Sequence, residues 1–179
     1  MKRITELAAW VAAVVLLLGC RESTSPAIGL RNASAPETVA TASEDVPARS
    51  VDGRVRLDAT THDGQAGVRF EPCSEGGTNA VEVEVGDWVE FSIDVSRGGL
   101  YAIDSRFANG GTNGAVAAIQ SNGRVLSEFL LPPTGGWQNW TTARSVISLG
   151  SGLQRLRIEC TKTGFNLNWI ELDPVMRHP

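Results

Sequence analysis

Beyond Val51 apolar and polar residues alternate in short segments. Val81, Val83 and Val85 alternate with Glu82 and Glu84; after Gly86-Asp87, Val89, Phe91, Ile93 and Val95 alternate with Glu90, Ser92 and Asp94. A period of two gives a strand one apolar and one wet face, and no stretch carries the 3.6-residue period of a helix. Leu156, Ile158 and Cys160 share one face of a late strand, with Arg155, Arg157 and Glu159 on the other. Asn122-Gly123 stands between two apolar runs, the composition of a tight hairpin turn. Roughly eight or nine such strands predict an all-β fold, an antiparallel β-sandwich with loops gathered at its ends.

The N-terminal part has a different pattern. Lys2 and Arg3 precede an apolar run from Leu7 to Leu18, too short to span a bilayer comfortably, and the arrangement reads as a signal peptide. The run ends in "LLGC", which resembles the bacterial lipoprotein box. On that resemblance Cys20 becomes the acylated first residue of the mature chain, holding it to a membrane through lipid. Arg21 stands where an inner-membrane retention Asp would stand, so the expected place is the outer membrane or cell surface. An ordinary signal peptide with a chance cysteine is the plainer alternative. Residues 21–50 are rich in Ser, Thr, Ala and Pro and contain no aromatic residue, so they cannot build a core. Fully extended, such a tether reaches about 100 Å. The expected organisation is a signal peptide at 1–19, a lipidated cysteine and linker at 20–50, and a folded module at 51–179.

The net charge is −4 and no basic stripe is interleaved with aromatics, which argues against nucleic acid. The histidines are His62 and His178; no Ser-His-Asp set or HExxH motif can be assembled, and "ANGGTNG" lacks the Lys-Ser/Thr of a phosphate loop. Glu71, Glu75, Glu82 and Glu84 lie close in sequence, and two carboxylates suffice for a glycosidase. Solvated acids on strand faces are far commoner, so the expectation is a non-enzyme. With Cys20 set aside, an exported protein has Cys73 and Cys160 to pair as a disulfide; two free buried thiols are the alternative. "TGGWQNW" places Trp137 and Trp140 three residues apart behind a Gly-Gly turn, more indole than one core ordinarily needs there.

The segments "DGQAGVRFEPCSEGGTNAVEVEVGDWVEFSIDV", "PPTGGWQNWTT" and "GFNLNWIEL" resemble family 6 carbohydrate-binding modules over roughly Arg54 to Leu172. The resemblance implies a β-sandwich jelly roll that binds polysaccharide without cleaving it, through a site built from loops. It makes Trp137 the sugar-stacking ring and Trp140 the one that packs inside. Asn166 matches a ligand asparagine; Asn168 would share its face in a regular strand, or simply hydrogen-bond at a strand end. Glu71 matches an acid that holds chain-end hydroxyls in some members, or is a solvated carboxylate. Glu82 stands where the family commonly has a second stacking aromatic, so binding should be weak or the ligand unusual. The early "EAE" that serves a structural calcium is here "DAT", leaving Asp58 and Asp173 as candidate calcium ligands. The reading is a lipid-anchored polysaccharide-binding module of the cell envelope. The alternative is an envelope scaffold of the same fold that has lost sugar binding and contacts another protein.

Overall fold

The computed structural model describes residues 47–175. Twelve strands form two sheets packed face to face. In the first, β1 (Arg49–Val51), β6 (Trp88–Val95), β11 (Gly152–Lys162), β8 (Ala115–Ser121) and β9 (Arg124–Leu131) lie in that order, and β3 (Gly64–Ala66) joins β6. In the second, the order is β10 (Thr141–Leu149), β7 (Gly99–Ala108), β12 (Phe165–Pro174), β5 (Thr78–Val83) and β4 (Arg69–Pro72), with β2 (Val55–Asp58) on β12. This is the expected β-sandwich. Every ladder is antiparallel except the short parallel pairing of β1 with β6. β1 begins at Arg49, two residues before the boundary expected at Val51; the leader, Cys20 and most of the linker lie outside the described residues.

The period-two pattern holds where it is longest. Val89, Phe91, Ile93 and Val95 of β6 face Leu156, Ile158 and Cys160 of β11 in the shared core, all but fully buried. Phe107, Phe129 and Phe165 fill the space between the sheets; each such ring contributes about 1.5–3 kcal/mol by leaving water. Asn122 and Gly123 close the β8–β9 hairpin with φ of 49° and 78°, the left-handed pair that a two-residue turn requires. The pattern fails in β5. Val83 is buried, yet Val85 is 62% exposed, because the register against β12 slips between Leu167–Ala80 and Phe165–Val83. One extra residue is accommodated there, and Glu82 takes a φ of 53°. A bulge of this kind bends a strand and re-aims a side chain.

Cys73 and Cys160 are free buried thiols, not the bonded pair expected. They stand by different sheets. Cys73 follows β4, in a turn where its N–H donates to Gly77 O at 3.0 Å. Cys160 is a core residue of β11 whose thiol donates to Thr163 O at 2.9 Å, and burial pushes its pKa up to about 11. Such a thiol is protonated at neutral pH and unreactive. Unfolding the protein in an alkylating reagent without reductant is therefore expected to label both cysteines by mass. Recovery of the pair unlabelled until reduction would contradict the free-thiol state.

The two candidate calcium ligands do not converge. Asp58 pairs with Trp169 in the β2–β12 ladder, four positions, or about 13 Å of strand, from Asp173. Each carboxylate is held by an arginine: Asp58 by Arg56 at 2.9 Å and Asp173 by Arg54 at 2.6 Å. Among the described residues no group of three or more His, Cys, Asp or Glu side chains is placed to hold a metal ion.

Candidate functional site

The β9–β10 loop, residues 132–140, folds over the β4–β5 edge and meets the β11–β12 turn. Between them lies a cleft of about 230 Å³ lined by Glu71, Val81, Glu82, Glu84, Trp137, Gly164, Phe165 and Asn166. Trp137, Asn166, Glu71 and Glu82, scattered over almost a hundred residues of sequence, share this one wall.

Trp137 is 47% exposed. Its ring is set by what lies behind it: a Cβ built on Gly110 would come within 2.6–2.7 Å of three atoms of the five-membered ring. The glycine therefore acts as a shelf under one indole face, leaving the other open to the cleft. Asn166 is nearly buried, and its Nδ2 donates to Trp137 O at 2.8 Å. That bond fixes the loop backbone and leaves Oδ1 and the second N–H of the amide for a ligand.

The loop is tied down by residues whose role the sequence did not reveal. Gln138 Nε2 donates to Glu71 Oε1 at 2.7 Å and to Asn79 Oδ1 at 3.2 Å, while its Oε1 accepts Ser74 N–H at 2.8 Å. Asn109, completely buried, holds the other side. Its Nδ2 donates to Asn113 O and Leu131 O, its Oδ1 accepts Gly111 N–H, and its main chain exchanges bonds with Thr134. Asn109 opens the "NGGTNG" stretch, which thus braces the site.

Glu82 enters the cleft from the β5 bulge and ion-pairs with Arg69 on the neighbouring β4. Glu84, which the sequence offered only as one of several nearby acids, has its carboxylate over Gly164: a Cβ there would lie 3.0–3.3 Å from Oε1 and Oε2. Asn168 does not join the wall. The β12 register shifts between Leu167 and Trp169, and Asn168 Nδ2 instead donates to Glu75 Oε2 at 3.2 Å. The guanidinium of Arg106 beside Glu75 holds that carboxyl below its usual range.

Trp140 is only half-buried and is not part of the core, contrary to expectation. Its indole N–H donates to Ser74 Oγ at 3.0 Å, which keeps the ring at the rim. Trp140→Ala is accordingly expected to cost about 1–2 kcal/mol in thermal melting, for one hydrogen bond and partial burial, instead of the 3–5 kcal/mol of a core ring. A loss above that range would return Trp140 to the core.

His62, the sole histidine among the described residues, is no catalyst in this geometry. Both its ring nitrogens are buried without partners, it packs against Phe70 with ring centroids 5.3 Å apart, and burial lowers its pKa.

The model of the family "carbohydrate binding module (family 6)" matches residues 58–174. The chain belongs to that family. Family 6 modules are themselves non-catalytic, although their relatives are often parts of enzymes. Among solved structures the module is similar to the C-terminal family 6 module of LamC, a marine laminarinase from Zobellia galactanivorans, at 32% identity and a TM-score of 0.64, covering 67% of this chain and 98% of that one. It is also similar to the module of Cellvibrio mixtus lichenase 5A in complex with cellotriose, at 29% identity and a TM-score of 0.63, covering 68% and 98%. Among curated proteins, the clotting factor G alpha subunit of Tachypleus tridentatus is 29% identical over 66% of this chain. The match spans only 18% of that subunit's own length.

Proposed function

We propose that the module binds a polysaccharide without cleaving it, in the cleft of Trp137, Asn166, Glu71 and Glu82, and that a lipid on Cys20 carries it on a tether at the outer membrane or cell surface. The observation that carries the binding reading is convergence: the four residues that the family resemblance nominates, far apart in sequence, line a single cleft, with an exposed indole as its platform. Support comes from relatives whose structures hold cellotriose and xylose. The loss of the second aromatic favours one rival, a protein-contacting scaffold. A panel of plant, algal and bacterial polysaccharides probed with the protein separates them: retention on at least one, lost in Trp137→Ala, is expected, and silence across the panel supports the scaffold.

The anchoring reading rests on "LLGC" and on the core-less composition of residues 21–50. Cys20→Ser is expected to release the protein from membranes or leave its precursor unprocessed, read by fractionation. A processed Cys20→Ser protein still held by membranes would refute it.

A further inference from the structure

The polar side-chain atoms of the cleft wall are mostly acceptors. Glu71, Glu82 and Glu84 are its ionisable residues, and Asn166, with one Nδ2 hydrogen donated to Trp137 O, offers Oδ1 and its second N–H; Val81, Gly164 and Phe165 offer no polar side-chain atom. Side-chain acceptors therefore predominate around the open face of Trp137, with its indole N–H and the second N–H of Asn166 the side-chain donors among the lining residues. Compensation is incomplete. Glu82 has Arg69 and Glu71 has the neutral amide of Gln138. Glu84 has no ion-pair partner among the described residues, and Gly164, lacking a side chain, gives its carboxylate room in the wall.

A neutral sugar suits such a wall poorly. Each ring hydroxyl is donor and acceptor together, and its lone pairs would find few donors on the protein. A uronate or a sulfated sugar fits worse, since its charge would meet carboxylates of the same sign. An ammonium group supplies three donors, no acceptor and a positive charge, and it is attracted to the face of an indole. We infer that the cleft selects a glycan bearing free amino groups, a polymer or oligomer of 2-amino-2-deoxy sugars that are not N-acetylated, with the sugar ring on Trp137 and the ammonium among Glu71, Glu82 and Glu84. Glu82 is already ion-paired with Arg69, so Glu84 and Glu71 are the principal partners of the charge. The inference rests on the sugar-binding reading of the same cleft and adds the chemical class.

The test is calorimetric titration of the full chain near pH 6, where ordinary carboxylates are ionised, with three β-1,4-linked hexamers: glucosamine, N-acetylglucosamine and glucose. The glucosamine hexamer is expected to bind at least tenfold more tightly than the other two. Raising salt from 50 to 500 mM should shrink that ratio, because screening acts on the charged term alone, and Glu84→Gln should narrow it as well. Trp137→Ala should remove glucosamine-hexamer binding. Trp137-dependent binding of the glucose hexamer as tight as that of the glucosamine hexamer would overturn the charge selectivity while leaving the sugar site standing. Glucosamine-hexamer binding that survives Trp137→Ala would also overturn it, as attraction to an acidic surface at large. Failure of all three hexamers refutes the inference; the polysaccharide panel then decides separately whether the sugar site itself survives.

Discussion

Trp137→Ala is expected to abolish polysaccharide retention in affinity electrophoresis while the melting temperature moves by no more than a few degrees. The indole is 47% exposed and touches the protein chiefly through one face, on Gly110, so its loss opens no cavity in the core. The bond from Asn166 reaches the main-chain oxygen of Trp137 and survives the substitution, so the loop keeps its path. What disappears is the platform. A sugar covering a third of an indole is worth about 1.5–2 kcal/mol at ~25 cal/mol per Å², a loss of ten- to thirtyfold in affinity. With a single platform working against association costs of at least ~4 kcal/mol, that loss puts binding below detection.

Asn109→Ala is expected to be the costliest substitution outside the apolar core, lowering stability by about 3 kcal/mol and the melting temperature by roughly 10 °C. The side chain is completely buried and makes three hydrogen bonds, to Asn113 O, Leu131 O and Gly111 N. Alanine leaves all three groups without that partner, the Leu131 oxygen away from bulk water. Because Asn109 also exchanges main-chain bonds with Thr134, loosening it disturbs both the Gly110 shelf and the loop that carries Trp137. Affinity should therefore fall along with the melting temperature. Thermal melting checks this directly: a shift under about 2 °C would mean that the buried amide does not hold the loops together.

The contrast between these residues shows what the sequence made legible. Period-two segments such as β6 and β11 could be read because an antiparallel strand with one buried face writes its orientation into every second residue. The hairpin at Asn122-Gly123 was local and just as plain. Trp137, Asn166, Glu71 and Glu82 came from a family resemblance, and they meet because loops distant in sequence close over one sheet edge. The β5 bulge was hidden, since the one-residue slip that breaks the Val81, Val83, Val85 alternation depends on the register of β12. Gln138 and Asn109 were hidden for a related reason: the partners of Gln138 lie 59–67 residues away and those of Asn109 include Leu131 and Thr134, 22–25 residues away, and an amide in a polar loop looks the same whether it is solvated or buried. Trp140 was misplaced because its hydrogen bond to Ser74 holds at the rim a ring that hydrophobicity alone sends inward. The cysteine pair was expected from the compartment and from the neighbouring motif loops, but Cys73 follows β4 of one sheet while Cys160 lies in β11 of the other.

The central claim is that the ligand sits on Trp137 between Asn166 and the cleft carboxylates. Its most direct test is a titration of the isotopically labelled protein with a retained oligosaccharide, followed by amide and indole N–H resonances. The shifts are expected to concentrate on the Trp137 indole and on the amides of Gly110, Glu84, Gly164 and Asn166, leaving the outer face of the other sheet unmoved. There Arg157 lies 3.7 Å above the ring of Trp88; saturable shifts confined to Trp88, Arg157 and their neighbours, with a silent Trp137 indole, would contradict the assignment of the site.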